Sequence, residues 1–175
     1  MRICYKKYYK KMRIYDKIKN KKLRKGRYAM FKRKIYNKMQ EWKKDSNGKT
    51  ALLIEGARRI GKSTVVEEFA KNEYESYILI DFSRASKEIK ELFEDVSDLD
   101  FLFLQLQLQY KVDLHERNSV IIFDEVQLCP TARQAIKALV ADHRYDYIET
   151  GSLISINKNV KDILIPSEER RISMY

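Results

Sequence analysis

The sequence predicts an α/β domain built on a parallel sheet with helical crossovers, and three observations carry that reading. From Thr50 onward, short apolar runs alternate with amphipathic segments, the texture that parallel strands and their crossovers produce. A loop of the form Gly-x4-Gly-Lys-Ser separates the first apolar run from the first amphipathic segment. A wholly apolar run, Val120-Ile121-Ile122-Phe123, ends in two adjacent acids, Asp124 and Glu125.

Taken in order, the chain begins with a basic head. Residues 1–29 carry 13 Lys or Arg against one acid, Asp16, whereas residues 30–175 carry 23 basic and 24 acidic side chains, so the net +11 resides in the head. Within it Tyr5, Tyr8, Met12 and Tyr15 recur at three- and four-residue steps, which would line one face of a basic helix before the pattern fades at 19–22. Phe31, Ile35, Met39 and Trp42 then predict a helix over 30–44 docked on the domain that follows, stopped by the breakers Asp45-Ser46-Asn47-Gly48. The division is a head at 1–29, a helix and linker at 30–47 and a core at 48–175.

In the core, strands are expected at 51–54, 77–82, 120–123, 147–149 and 171–175, with helices at 62–72, 86–95 and 131–141. Residues 101–110 are ambiguous, because Leu104-Gln105-Leu106-Gln107-Leu108-Gln109 alternates with the period of a strand. The chain must nevertheless cross over between the parallel strands ending at Phe82 and starting at Val120, and Leu104 and Leu108 fit one helical face, so a helix is expected.

Composition narrows the class. With 175 residues, 44% of them apolar and 11% aromatic, the chain can bury a real core and a wholly disordered protein is excluded. Cys4 and Cys129 are too few and too far apart for a disulfide framework or a zinc cluster, which points to a reducing cytoplasm. His115 and His143 share no metal-ligand spacing with them and are expected at the surface, while Cys129 is read as a small apolar residue. Uninterrupted apolar runs such as 101–104 are far short of a membrane span, and no apolar signal core follows the basic N-terminus, so a soluble protein is expected.

The chemistry lies in three places. Gly56-Ala57-Arg58-Arg59-Ile60-Gly61-Lys62-Ser63, followed by Thr64, fits a loop that cradles phosphates, with an apolar strand leading in and an amphipathic helix leading out. Glycines let the backbone curl so that successive N–H groups face the anion, and the helix N-terminus adds its positive end. The chain has only five glycines, and two of them fall at the two required positions. Lys62 would reach the β- and γ-phosphates and the Ser63 hydroxyl would ligate Mg²⁺. Arg58 and Arg59 bring charge into the loop, although solvent exposure is their expected role.

The second place is Asp124-Glu125, where side chains at the carboxyl end of a buried parallel strand emerge at the ligand crevice. Asp124 would hold Mg²⁺ through water, and Glu125 would orient and deprotonate an attacking water. The third is Tyr147-Ile148-Glu149-Thr150-Gly151-Ser152. If that strand lies between the other two, Thr150 or Ser152 would send a hydroxyl toward the γ-phosphate, with Ser152 slightly preferred.

These residues, together with Val126-Gln127, Pro130-Thr131-Ala132-Arg133 and Leu153, resemble the AAA-superfamily ATPases of bacteria and archaea over about 30–175. The resemblance implies Mg-ATP binding and hydrolysis in a phosphate-loop NTPase fold, a three-layer α/β/α sandwich with strand order 5-1-4-3-2. It also implies a C-terminal effector domain or partner protein beyond Tyr175, where this sequence stops, and leaves an oligomer open, since such assemblies often take an arginine from a neighbour. Arg170 and Arg171 are read as flanking an edge strand, not as such fingers, and residues 1–29 have no counterpart in the family.

Three functional classes follow. The first is an ATPase domain; GTP is disfavoured because Asn157-Lys158-Asn159-Val160 lacks the purine-reading aspartate, and a small-molecule kinase because Glu125 directly follows Asp124. The second is a nucleic-acid or anionic-surface binding module, in which the head's 13 cations and five tyrosines contact phosphates and bases while nucleotide acts as a switch. The third is a remnant that binds Mg-ATP and turns it over slowly.

Overall fold

The computed structural model describes residues 34–152 and 169–174. The chain divides into two units, Met1–Asn37 and Lys38–Tyr175, and the sheet belongs wholly to the second. The basic head, with the nucleic-acid contact expected of it, and residues 157–160 lie outside the described residues.

Helix α1 (Lys34–Ser46) agrees with the expected helix where that helix is described, its start at 30 lying outside. Met39 and Trp42 are fully buried, and Trp42 Nε1 donates to Thr50 Oγ1 across 3.2 Å, fastening the helix beside the first strand. Five parallel strands follow: β1 (Ala51–Gly56), β2 (Ser76–Asp81), β3 (Ser119–Asp124), β4 (Asp146–Ser152) and β5 (Glu169–Met174). Their order is β2-β3-β4-β1-β5, the expected 5-1-4-3-2 read from the other edge, so the phosphate-loop strand is internal and β4 separates it from the Asp-Glu strand.

Helices cover both faces. On one face, α2 (Lys62–Glu73) lies against β1 to β4 with Val65, Val66 and Phe69 buried, and α1 joins it through Gln40, which donates to Glu73 Oε1 across 3.0 Å. On the other, α4 (Leu99–Tyr110) and α5 (Pro130–Asp142) pack against the sheet, sharing a core with Ile78, Ile80, Ile121, Phe123 and Tyr147. Burying that much apolar side chain is the main favourable term in folding. Chain breaks are placed by local chemistry: the Asp98 carboxylate accepts from Phe101 N at 2.9 Å to start α4, and Pro130, which has no N–H to waste, starts α5.

Two expectations are refined. The helix expected over 86–95 is a short α3 (Lys87–Glu91) followed by tight turns, in which Phe93 N and Glu94 N bond back only three residues. Phe93 is thereby drawn into an edge-to-face contact with Phe123, ring centroids 5.4 Å apart, and that packing outweighs helical continuity. Residues 101–110 are helical as argued, and Leu104 and Leu108 do share a face, but it is the outward one; Leu102, Phe103 and Leu106 make the buried face.

Candidate functional site

Gly56 ends β1 with its hydrogen atom, in place of a side chain, against β5. A Cβ there would lie 2.3 Å from the Met174 carbonyl oxygen and 2.7 Å from Ile60 Cδ1, so only glycine lets the loop leave the sheet here. The loop then exposes Ala57, Arg58 and Arg59, in agreement with the solvent-facing role expected of both arginines. At its far end Gly61 has φ 86°, in the left-handed region, and caps α2 with no side-chain hydrogen bond to the helix N-terminus. The first turn of α2 is thus available to an external anion.

Lys62 is buried, its ammonium donating to the carbonyls of Ala57 at 2.8 Å and Gly56 at 3.2 Å, so its charge sits inside the curl of the loop. Ser63 follows, and its hydroxyl donates to Asp124 Oδ1 at 2.8 Å. Thr64 is exposed. The helix after β1 and the end of β3 therefore meet at one oxygen atom. These hard oxygen donors suit Mg²⁺, which favours a carboxylate and a hydroxyl alongside phosphate oxygens and water.

The same Asp124 oxygen accepts a hydrogen bond from the buried Thr150 hydroxyl, and that hydroxyl in turn accepts from Glu125 N–H at 3.3 Å. The Asp124 carboxylate is consequently held from the neighbouring strand β4 and from helix α2. Glu125 sits at φ 54°, which swings the chain out of the strand into a turn at Val126–Leu128, where Gln127 Nε2 donates to the Glu125 carboxylate. Ser152, two residues beyond Thr150 and on the same face, is buried in register with Gly56.

Lys62, Ser63, Asp124, Glu125 and Ser152 thus converge at the carboxyl ends of β1, β3 and β4. Thr150 is the hydroxyl that touches Asp124. Gln127 entered the sequence reading only as part of the family resemblance, with no role; its contact with Glu125 carries no signal until the turn brings it back. The buried ion pair Arg133 Nη2–Glu169 Oε2, 3.0 Å long, was also unforeseen. It lies on the opposite face, beside Glu149, whose pKa rises to about 8 because burial and then the Glu169 carboxylate disfavour its charge, with Arg133 and Arg171 opposing.

Arg170 and Arg171, expected to flank the edge strand, lie within β5 at the sheet edge, paired in register with Leu52 and Leu53, and Arg171 pairs with Glu169 at 2.8 Å. His115 and His143 are exposed and Cys129 is buried in the apolar core, all as read from sequence. No described helix is long and apolar enough to cross a membrane.

No curated protein matches the chain. Among solved structures it is similar to PCH-2 of C. elegans, at 11% identity and a TM-score of 0.43, over 79% of this chain and 43% of that one. The chain therefore spans less than half the length of that protein. A family model described as the AAA domain matches residues 48–172, which takes in the loop, both acids, four strands and most of the fifth, and the chain belongs to that family of nucleotide-binding domains.

Proposed function

We propose that this domain binds Mg-ATP in the loop from Gly56 to Thr64 and hydrolyses it slowly. The observation that carries the reading is the 2.8 Å bond from Ser63 Oγ to Asp124 Oδ1, which brings the helix behind the phosphate loop and the acidic strand end to a single point. Two further features support it: the α2 N-terminus has no side-chain cap, and the Lys62 ammonium is held within the loop.

In this reading the backbone N–H groups of the loop and the first turn of α2 bind the phosphates, and Lys62 moves from the Gly56 and Ala57 carbonyls to the β- and γ-phosphate oxygens. Ser63 and Asp124, already joined by a hydrogen bond, would hold Mg²⁺ between them and the phosphates. The bound ion supplies charge neutralisation on the phosphate oxygens. Glu125 orients and deprotonates the attacking water, the Gln127 amide fixes its carboxylate, and Thr150 and Ser152 present hydroxyls on the γ-phosphate side.

Equilibrium titration with a fluorescent ATP analogue tests the binding. Mg-dependent saturation is expected for the full chain and none for Lys62→Ala; equal affinity in the two proteins overturns the reading. Glu125→Gln should keep binding while removing phosphate release. Release that survives the substitution excludes Glu125 as the base.

A further inference from the structure

Helix α4 is apolar on two sides. Leu102, Phe103 and Leu106 are buried in the core, yet Phe101, Leu104 and Leu108 remain 53%, 52% and 63% exposed. Steps of three and four residues put these three in one row along the helix. A helix that is apolar all round is ordinarily enclosed, and an exposed apolar row with a polar border marks a protein contact.

At its Phe101 end the row opens into a groove between α3 and α4, lined by Glu88, Glu91, Asp95 and Asp98 with Leu92 and Phe101. The segment 86–100 carries six acids against two lysines, so the apolar row is bordered by negative charge.

We propose that this face of α3 and α4 docks a Lys/Arg-rich amphipathic helix of a partner protein. The apolar side of that helix lies on Phe101, Leu104 and Leu108, and its cations lie over the groove carboxylates. A row spanning about 10 Å, two helical turns, matches the i, i+3, i+4, i+7 anchors of a docked helix. The charge selects a basic occupant, because an acidic one would meet like charge on entry. The same argument disfavours a second copy in a two-fold contact, since that would set these carboxylates against themselves. None of these residues belongs to the phosphate loop, so the proposal stands independently of the nucleotide reading.

The test uses the full chain and a fluorescent synthetic peptide of about 18 residues, five helical turns, with Leu at helical spacing and Lys between. A control peptide replaces every Lys with Glu. Saturable binding of the Lys peptide alone is expected. It should weaken by at least about tenfold in Leu104→Asp/Leu108→Asp and again in Glu91→Lys/Asp95→Lys, while Lys62→Ala leaves it unchanged. All the groove and row substitutions are at exposed positions, and circular dichroism confirms that each protein is folded. Absence of binding, or equal binding of the Glu peptide, overturns the proposal. So does a loss confined to the charge variant, which signals unspecific attraction. Self-association of the chain that disappears in Leu104→Asp/Leu108→Asp, with no peptide binding, assigns the face to a second copy and also overturns it.

Discussion

The Ser63 hydroxyl donates to Asp124 Oδ1 across 2.8 Å, joining residues 61 positions apart in sequence. Asparagine at 124 keeps a hydrogen-bond acceptor but removes the charge. Asp124→Asn is therefore expected to lower the Mg²⁺ affinity of the nucleotide complex by about 10–100-fold, the range typical when an outer-sphere partner is lost. Nucleotide titrations over a series of Mg²⁺ concentrations read this directly; an unshifted Mg²⁺ midpoint would remove Asp124 from the metal's surroundings.

Thr150 contributes to stability as well as to the site. Its buried hydroxyl lies between the Asp124 carboxylate and the Glu125 N–H. Thr150→Val keeps the shape and leaves both groups short of a partner, with an expected loss of about 1–3 kcal/mol. Thr150→Ser retains the hydroxyl and should lose clearly less. Urea unfolding of the two variants compares them, and equal midpoints would count against the hydrogen bonds.

Glu149 makes stability depend on pH in the opposite sense to a paired carboxylate. Burial and the Glu169 charge raise its pKa from 4.5 to about 8, against the pull of Arg133 and Arg171. Between those values the folded chain keeps a proton that the unfolded chain has released, so stability falls as pH rises through that window. Thermal unfolding from pH 5 to 8 should show a shallower decline in Glu149→Gln than in the parent chain. Parallel curves would mean that Glu149 is not protonated in the fold.

The Arg133–Glu169 pair is fully buried. Arg133→Leu leaves Glu169 with only the half-exposed Arg171 nearby, and a loss of about 3–5 kcal/mol is expected. Replacing both partners, Arg133→Leu with Glu169→Leu, should recover most of it, because most of the single variant's loss is the cost of a lone buried charge, which the double variant no longer has. Denaturant titration of the single and double variants closes the cycle, and additive losses would argue against the pair.

Gly56→Ala should push β5 away from the loop. The added methyl would meet the Met174 carbonyl at 2.3 Å, and overpacking of this kind costs about 1–3 kcal/mol. Amide exchange over 169–174 is expected to quicken in the variant, and unchanged exchange there would show that the strand does not depend on this glycine.

Much of this was legible because the chemistry demands particular residues at particular spacings. Gly56, Gly61 and Lys62 mark the loop through backbone geometry, and an apolar run closed by Asp124-Glu125 marks a strand end at a crevice. Which of Thr150 and Ser152 touches Asp124 was not legible. Both leave the strand on the same face, and only the register with β3 brings the first to Asp124. Leu104 and Leu108 were legible as one helical face but not as an exposed one: periodicity reports that residues share a face, not which neighbour that face meets. Arg133 and Glu169 are 36 positions apart, and charged residues ordinarily belong to the surface, so nothing in the sequence joins them before α5 and β5 pack together.

Ser152, Gly56 and Met174 form one row across β4, β1 and β5, so the entrance to the loop is gripped on both sides by main chain alone. A grip of that kind tolerates drift in the flanking side chains, and it transmits in both directions. Where a ligand at the loop changes the sheet edge, whatever binds the edge must change the loop's hold on that ligand by the same free energy.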